Sequence, residues 1–182
     1  MITGASDLTA FNERMITRNA QRLLAAGRVW ESLAAFDAAE NAGECPNECS
    51  AGRWQCYMLL GRFKSAWAES DAICARMAPD PHRLWDGASF SGRRIMIRCL
   101  HGLGDALQFL RYAPLVRQSA RSVCVQTAPE LLQVANRIRG IDHVMTWTAA
   151  DNPEPDWDQQ IEVMVLPRAF RTTIESIPLN LP

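Results

Sequence analysis

A five-residue turn, His101-Gly102-Leu103-Gly104-Asp105, constrains this chain more than any other feature. It follows the apolar run Ile95-Met96-Ile97-Arg98-Cys99-Leu100 and opens an amphipathic segment at Ala106. A buried strand that breaks into a glycine turn and then a helix is the opening unit of a parallel α/β sheet. Ligands of such sheets bind beyond the carboxyl ends of the strands, so chemistry is expected at this turn. The periodicity downstream continues the theme. It predicts strands over 94–99, 123–126, 143–147 and 160–166, with helices over 105–120 and 129–139 and a loop at Asp151-Asn152-Pro153-Glu154-Pro155.

The first half has a different period. From Leu8 to Met77 apolar residues recur at three- and four-residue spacing, as in Met15, Ala20, Leu23, Leu24 and in Leu33, Phe36, Ala39, which predicts helices throughout. Within it Leu23-Leu24-Ala25-Ala26-Gly27-Arg28-Val29 is echoed by Tyr57-Met58-Leu59-Leu60-Gly61-Arg62-Phe63, with glycines 34 positions apart. Each glycine falls where one helix ends and the next begins, a place for left-handed backbone. Val29 and Phe63 are placed to pack the turn, and Ser32 and Ala66 to let paired helices approach. Pro79-Asp80-Pro81-His82 ends the helical pattern. The expected organisation is a helical region 1–80, a connector 81–93 and an α/β region 94–182.

The chain's 182 residues, 48% of them hydrophobic, suffice for one large or two small domains. A formal net charge of −1 lacks the basic excess of a general nucleic-acid binder. No apolar run reaches membrane-spanning length, and Met1 to Asp7 does not resemble a secretory leader, so a cytoplasmic protein is expected. Cys56, Cys74, Cys99 and Cys124 fall inside apolar patterns and read as small buried hydrophobes. Cys45 and Cys49 form one close pair without the second pair or histidine a zinc site needs, so no metal is expected.

As a dinucleotide fingerprint the glycine turn is poor. The third glycine position is Leu107, and the second strand ends in Gln126-Thr127 where a ribose-binding carboxylate would stand. Asp105 also puts negative charge where a pyrophosphate would otherwise collect backbone N–H groups. That aspartate has two readings. It either caps the following helix or acts as a general base at the mouth of a cleft.

Gly102-Leu103-Gly104-Asp105-Ala106-Leu107-Gln108-Phe109-Leu110-Arg111-Tyr112-Ala113-Pro114-Leu115 resembles the first turn and helix of heptosyltransferase-like glycosyltransferases. It is closer still to bacterial proteins that fuse tetratricopeptide repeats to such a domain. Trp85-Asp86-Gly87, Leu166-Pro167-Arg168 and Thr172-Thr173-Ile174-Glu175-Ser176-Ile177-Pro178 fit the same pattern. The region from about Asn12 to Pro79 likewise resembles two tetratricopeptide repeats, with an ordinary helical bundle as the alternative. The resemblance implies tetratricopeptide-like helical hairpins followed by a Rossmann-like parallel sheet, half of a GT-B fold. It also implies a nucleotide-sugar donor as co-substrate, a sugar, glycan or protein acceptor, no cofactor and no metal, and Asp105 as catalytic base. His101 departs from the small polar residue usual in that family, so the acceptor does not carry over. A second, donor-binding domain is expected to begin where this sequence reaches Asn180-Leu181-Pro182.

Around the turn, His101, Gly102, Gly104, Gln108 and Arg111 are the candidate substrate-binding residues. Asp105, Gln108, Arg111 and Tyr112 share one face at helical spacing, where an arginine can hold an acceptor phosphate or carboxylate; a solvated helix face is the alternative. His82 and His143 have no partner pattern. Trp30, Trp54 and Trp67 read as packing residues, or as a peptide groove if exposed. The competing class is a non-catalytic scaffold, in which the repeats bind a protein partner and the α/β domain is degenerate.

Overall fold

A computed structural model describes residues 6–77, 85, 87–147 and 157–179, with side chains from residue 16 onward. The predicted break at Pro79-Asp80-Pro81-His82 and the loop 151–155 lie outside the described residues. The chain divides into two compact units, Met1–Ala78 and Pro79–Pro182.

The first unit is four helices, α1 (Ser6–Ala25), α2 (Val29–Asn41), α3 (Pro46–Leu59) and α4 (Phe63–Arg76), each packed on the next. All three links turn in the same way. Gly27, Gly43 and Gly61 adopt φ of +74°, +90° and +68°. Behind each, two N–H groups reach back to the last carbonyls of the helix, as in Gly27 to Leu24 and Arg28 to Leu23, a Schellman closure. A side chain at these glycines would be strained by conformation, since nothing crowds their Cβ positions. Ala20, Phe36 and Cys56 form the buried centre, joined by Leu24, Val29 and Leu33. Ser32 is fully buried because its hydroxyl donates to the Ala20 carbonyl at 2.8 Å. Gly52 brings α3 onto Phe36 so closely that a Cβ would lie 2.1 Å from the ring. The Glu44 carboxylate accepts the backbone N–H groups of Ile16 and Thr17, tying the α2–α3 link to α1.

The second unit is a four-stranded parallel sheet in the order β3-β2-β1-β4, with β1 (Arg94–Arg98), β2 (Ser122–Thr127), β3 (His143–Thr146) and β4 (Gln159–Glu162). One sheet face carries Ile95, Ile97, Val123, Val125 and Ile161 into an apolar core with Leu110, Val116 and Leu166. The other carries Arg94, Met96, Arg98, Cys124, Gln126 and Gln160, as the period-2 alternation requires. Asp158 accepts the Arg94 backbone N–H at 2.7 Å and pairs with its guanidinium at 3.0 Å, pinning the starts of β1 and β4. Those bonds hold the Asp158 carboxyl down at about 2.

Several expected boundaries move. The apolar run outlasts β1, and Leu100 is exposed in the turn. The predicted helix 105–120 is broken into α5 (Leu103–Phe109), a 3₁₀ turn (Leu110–Tyr112) and α6 (Ala113–Arg117). Pro114 cannot donate a helical bond, so the chain tightens before it and restarts at Ala113. The expected helix 129–139 shrinks to a 3₁₀ turn (Pro129–Leu131) and α7 (Leu132–Ala135), and Gly140 follows with φ +85°. There a Cβ would lie 2.8 Å from the Pro114 Cα, so the bare backbone lets this link approach α6. The predicted strand 160–166 ends at Glu162, then becomes a 3₁₀ turn (Val163–Val165) and α8 (Leu166–Ala169). The Glu162 side chain accepts the Met164 N–H at 3.1 Å, and Pro167 supports the helical start.

Among the described residues no helix is long and apolar enough to cross a membrane.

Candidate functional site

The order 3-2-1-4 places β1 between β2 on one side and β4 on the other, so the strand order reverses at β1. In open parallel sheets this is the crevice where ligands bind. The turn His101–Asp105 follows β1 there, Glu162 ends β4, and α5 packs on the 3₁₀ turn beside Glu162.

Asp105 is the third residue of α5 and not its N-cap. Gly102 is the N-cap, with extended backbone (φ −64°, ψ 160°) and no side-chain capping bond. The capping reading therefore fails in its strict form, although a carboxylate in the first turn still complements the helix dipole. The half-buried Asp105 carboxylate makes no hydrogen bond or ion pair with any described residue. It turns back toward Gly102, where an added Cβ would stand 3.6 Å from Oδ2. Neither Gly102 nor Gly104 has positive φ. A Cβ at Gly104 would meet nothing within 4 Å, so neither position is closed to a side chain.

Exposed His101 lies across the crevice, its Nε2 3.8 Å from the Glu162 Oε1. Glu162 was missed by the sequence reading because the apolar run beyond it suggested a continuing strand. A carboxylate as the last strand residue before Pro167 was the available signal. Its side chain is only 16% exposed, and Oε1 is buried without a hydrogen-bond donor. Burial pushes the Glu162 carboxyl above its ordinary value. His101 and the Met164 N–H pull it down, and the nearby Asp105 charge pushes it up. Folding therefore favours the protonated form, and this group's contribution to stability is greatest at low pH and is lost as pH rises through the raised value. Glu162→Gln is expected to stabilise the chain by about 1 kcal/mol at neutral pH, the scale for removing a poorly satisfied buried polar group. The gain should shrink toward zero below the usual carboxylate range. Urea unfolding at the two pH values checks this, and equal effects at both would refute it.

Four large apolar side chains rim the cluster. Leu100, Leu103, Leu107 and Met164 are each between 41% and 45% exposed.

The other candidates separate. Gln108 is exposed at the end of α5, and its carbonyl accepts the Arg111 Nε at 2.6 Å. Arg111 lines a different cleft of about 390 Å³ with Pro114, Leu115, Gln118, Ile138 and Arg139. None of His101, Asp105 or Glu162 belongs to that lining. Tyr112 is buried and stacked on Phe170 at 5.9 Å, so it leaves the predicted shared face because the 3₁₀ turn rotates it inward.

None of the six cysteines is joined in a disulfide. Cys74 is exposed, contrary to expectation, and Cys124 only half-buried, while Cys56 and Cys99 are buried. Burial pushes the Cys99 thiol up to about 11 and raises Cys49 and Cys124, so these are poor nucleophiles. Among the described residues no three His, Cys, Asp or Glu side chains gather as a metal set.

No family model, no curated protein and no solved structure matches this chain.

Proposed function

We propose that the chain is the acceptor-side portion of a nucleotide-sugar-dependent glycosyltransferase, joined to a tetratricopeptide interaction module. The observation that carries this reading is the unengaged Asp105 carboxylate at the carboxyl edge of a parallel sheet, beside Glu162 and His101. A general base must be free to meet a substrate proton, and a carboxylate committed to a cap or an ion pair is not. In the proposed reaction Asp105 takes the proton of an acceptor hydroxyl as that oxygen attacks the anomeric carbon of the donor. The sugar–phosphate bond breaks, the nucleoside diphosphate leaves with the electron pair, and the anomeric centre inverts. His101, opposite, donates a hydrogen bond to the acceptor. The apolar rim suits closure by a donor-binding domain, since both substrates must be held in one geometry. The sheet order is that of one doubly wound half and supports a GT-B-like arrangement. The 34-residue glycine spacing and the repeated Schellman closures support the tetratricopeptide reading.

One observation favours the scaffold reading. Trp30 is 55% exposed under the Arg62 guanidinium at 4.6 Å, and Leu59 is 68% exposed, giving the helical unit apolar surface for a protein partner.

Isothermal titration with a panel of nucleotide-sugars and their nucleotides separates the two, using the chain alone and with any protein encoded beside it. Binding only in the presence of the second protein is expected. Absence of binding in both arrangements would overturn the enzyme reading in favour of the scaffold.

A further inference from the structure

Arg98, the last residue of β1, lies in the polar row of the sheet's second face, in register with Gln126 on β2 and Glu162 on β4. Its guanidinium is half-buried and held by two neutral amides. Nε donates to the Gln126 Oε1 at 2.9 Å and Nη1 to the Gln160 Oε1 at 3.0 Å. It has no ion pair with any carboxylate of the described residues. Glu162, its neighbour in register, turns forward to the Met164 N–H and His101 instead.

A half-buried cation without a counter-charge bears part of the desolvation cost, and the neutral glutamines meet two of its nitrogens without neutralising it. The second observation is Gln126 itself, 1% exposed. Because its Oε1 must face the Arg98 Nε–H, its amide nitrogen points the other way, and that Nε2 is buried without an acceptor. The guanidinium's Nη2 and an orphaned amide N–H₂ thus belong to two bonded side chains at the adjoining carboxyl ends of β1 and β2. In dinucleotide-binding sheets a carboxylate at this strand end accepts from a ribose hydroxyl. Here the polarity at β2 is reversed, and the unmet group at its end is a donor.

We propose that Arg98 and Gln126 form an oxyanion subsite, taking a phosphoryl or carboxylate group of a ligand bound at the carboxyl edge of the sheet. The oxyanion accepts from Nη2 of Arg98 and Nε2 of Gln126, while Gln160 holds the guanidinium in plane. This site is separate from the base role of Asp105 and stands or falls without it.

The test uses the full ¹⁵N-labelled chain, with inorganic phosphate and acetate as probes and the arginine Nε–H resonances as the readout. The resonance absent from the Arg98→Gln spectrum is expected to shift saturably. Arg137→Gln, an exposed site away from the sheet ends, should leave the titration unchanged. Gln126→Leu should weaken phosphate by about tenfold, the loss of one charge-assisted contact. Gln126→Glu is the decisive variant. It supplies the missing carboxylate within the fold, keeps the shape and should abolish anion binding. Saturation by phosphate alone assigns a phosphoryl ligand, and saturation by both probes extends the site to carboxylates. A resonance that moves with neither probe, or phosphate binding unchanged in Gln126→Glu, would overturn the proposal.

Discussion

If the chain acts in glycosyl transfer as proposed, replacing Asp105 with asparagine is expected to lower that transfer by about 10²–10⁴-fold, the contribution of a positioned general base. The measurement is transfer to an acceptor hydroxyl by the chain together with the proposed donor-binding protein, with folding followed in parallel. Asparagine keeps the size of the side chain and cannot take a proton at neutral pH. Asp105 makes no capping bond, so the substitution removes only a first-turn charge and should cost stability no more than about 0.3–1 kcal/mol. A base role therefore predicts a large loss of rate with a nearly unchanged unfolding curve. Full transfer activity in Asp105→Asn would end it. A loss of acceptor affinity with an unchanged turnover rate would instead make Asp105 a binding group.

The second large effect belongs to the helical unit. Arg53 on α3 is 7% exposed and gathers carboxylates from both neighbouring helices. It meets Glu69 on α4 twice, Nε to Oε1 at 2.8 Å and Nη2 to Oε2 at 3.1 Å. It also meets Glu40 on α2 at 2.6 Å and, more weakly, the exposed Asp37 at 3.4 Å. Burial alone would lower the guanidinium's pKa, but Glu69 and Glu40 more than offset it and the net displacement is upward. Arg53→Ala would leave Glu69, only 15% exposed, with its charge uncompensated. Breaking a buried pair from one side costs about 3–5 kcal/mol, a large share of what so small a unit can have. Far-UV circular dichroism during urea unfolding is expected to show the helical signal lost at much lower denaturant. Arg53→Lys should recover little, because an ammonium cannot span the Glu69 carboxylate in two parallel bonds. Arg53→Met combined with Glu69→Leu should recover much of the loss, since the more buried carboxylate goes with its partner while the more exposed Glu40 keeps Arg76 at 3.8 Å. A cost below about 1 kcal/mol for Arg53→Ala would mean that the network behaves as an ordinary surface pair.

The parts legible in the sequence are those settled within a few residues. Gly27 and Gly61 announce their turns because a left-handed residue after a helix is a local requirement that glycine meets at least cost. The strand–turn–helix at His101–Asp105 is legible from another local signal, an apolar run that breaks at two glycines and resumes at helical period, and the strand–helix alternation is legible in the same way. Where the reading overran, a local signal was outvoted by contact. The apolar run after Glu162 looks like strand until the Glu162 carboxylate captures the Met164 N–H and starts a turn. The helix expected through Ala120 breaks at Pro114, whose consequence was visible in principle, while the packing that rotates Tyr112 onto Phe170 was not.

The candidate site divides along the same line. Sequence spacing put Asp105 and His101 in one turn, and it could group Gln108 and Arg111 with them only by assuming an unbroken helix. Glu162 stands 57 residues after Asp105, and nothing between them states that β4 lies beside β1. The Arg98–Gln126–Gln160 row is further still from a linear pattern, since its members come from three strands and meet only through the register of the sheet. Residue type and short-range period decided which segments are helix, strand or glycine turn, because those energies are set by neighbours along the chain. Which charges face one another, which are left without a partner and which edge of the sheet is open were decided only by the tertiary structure, because burial and Coulomb interaction depend on distance in space.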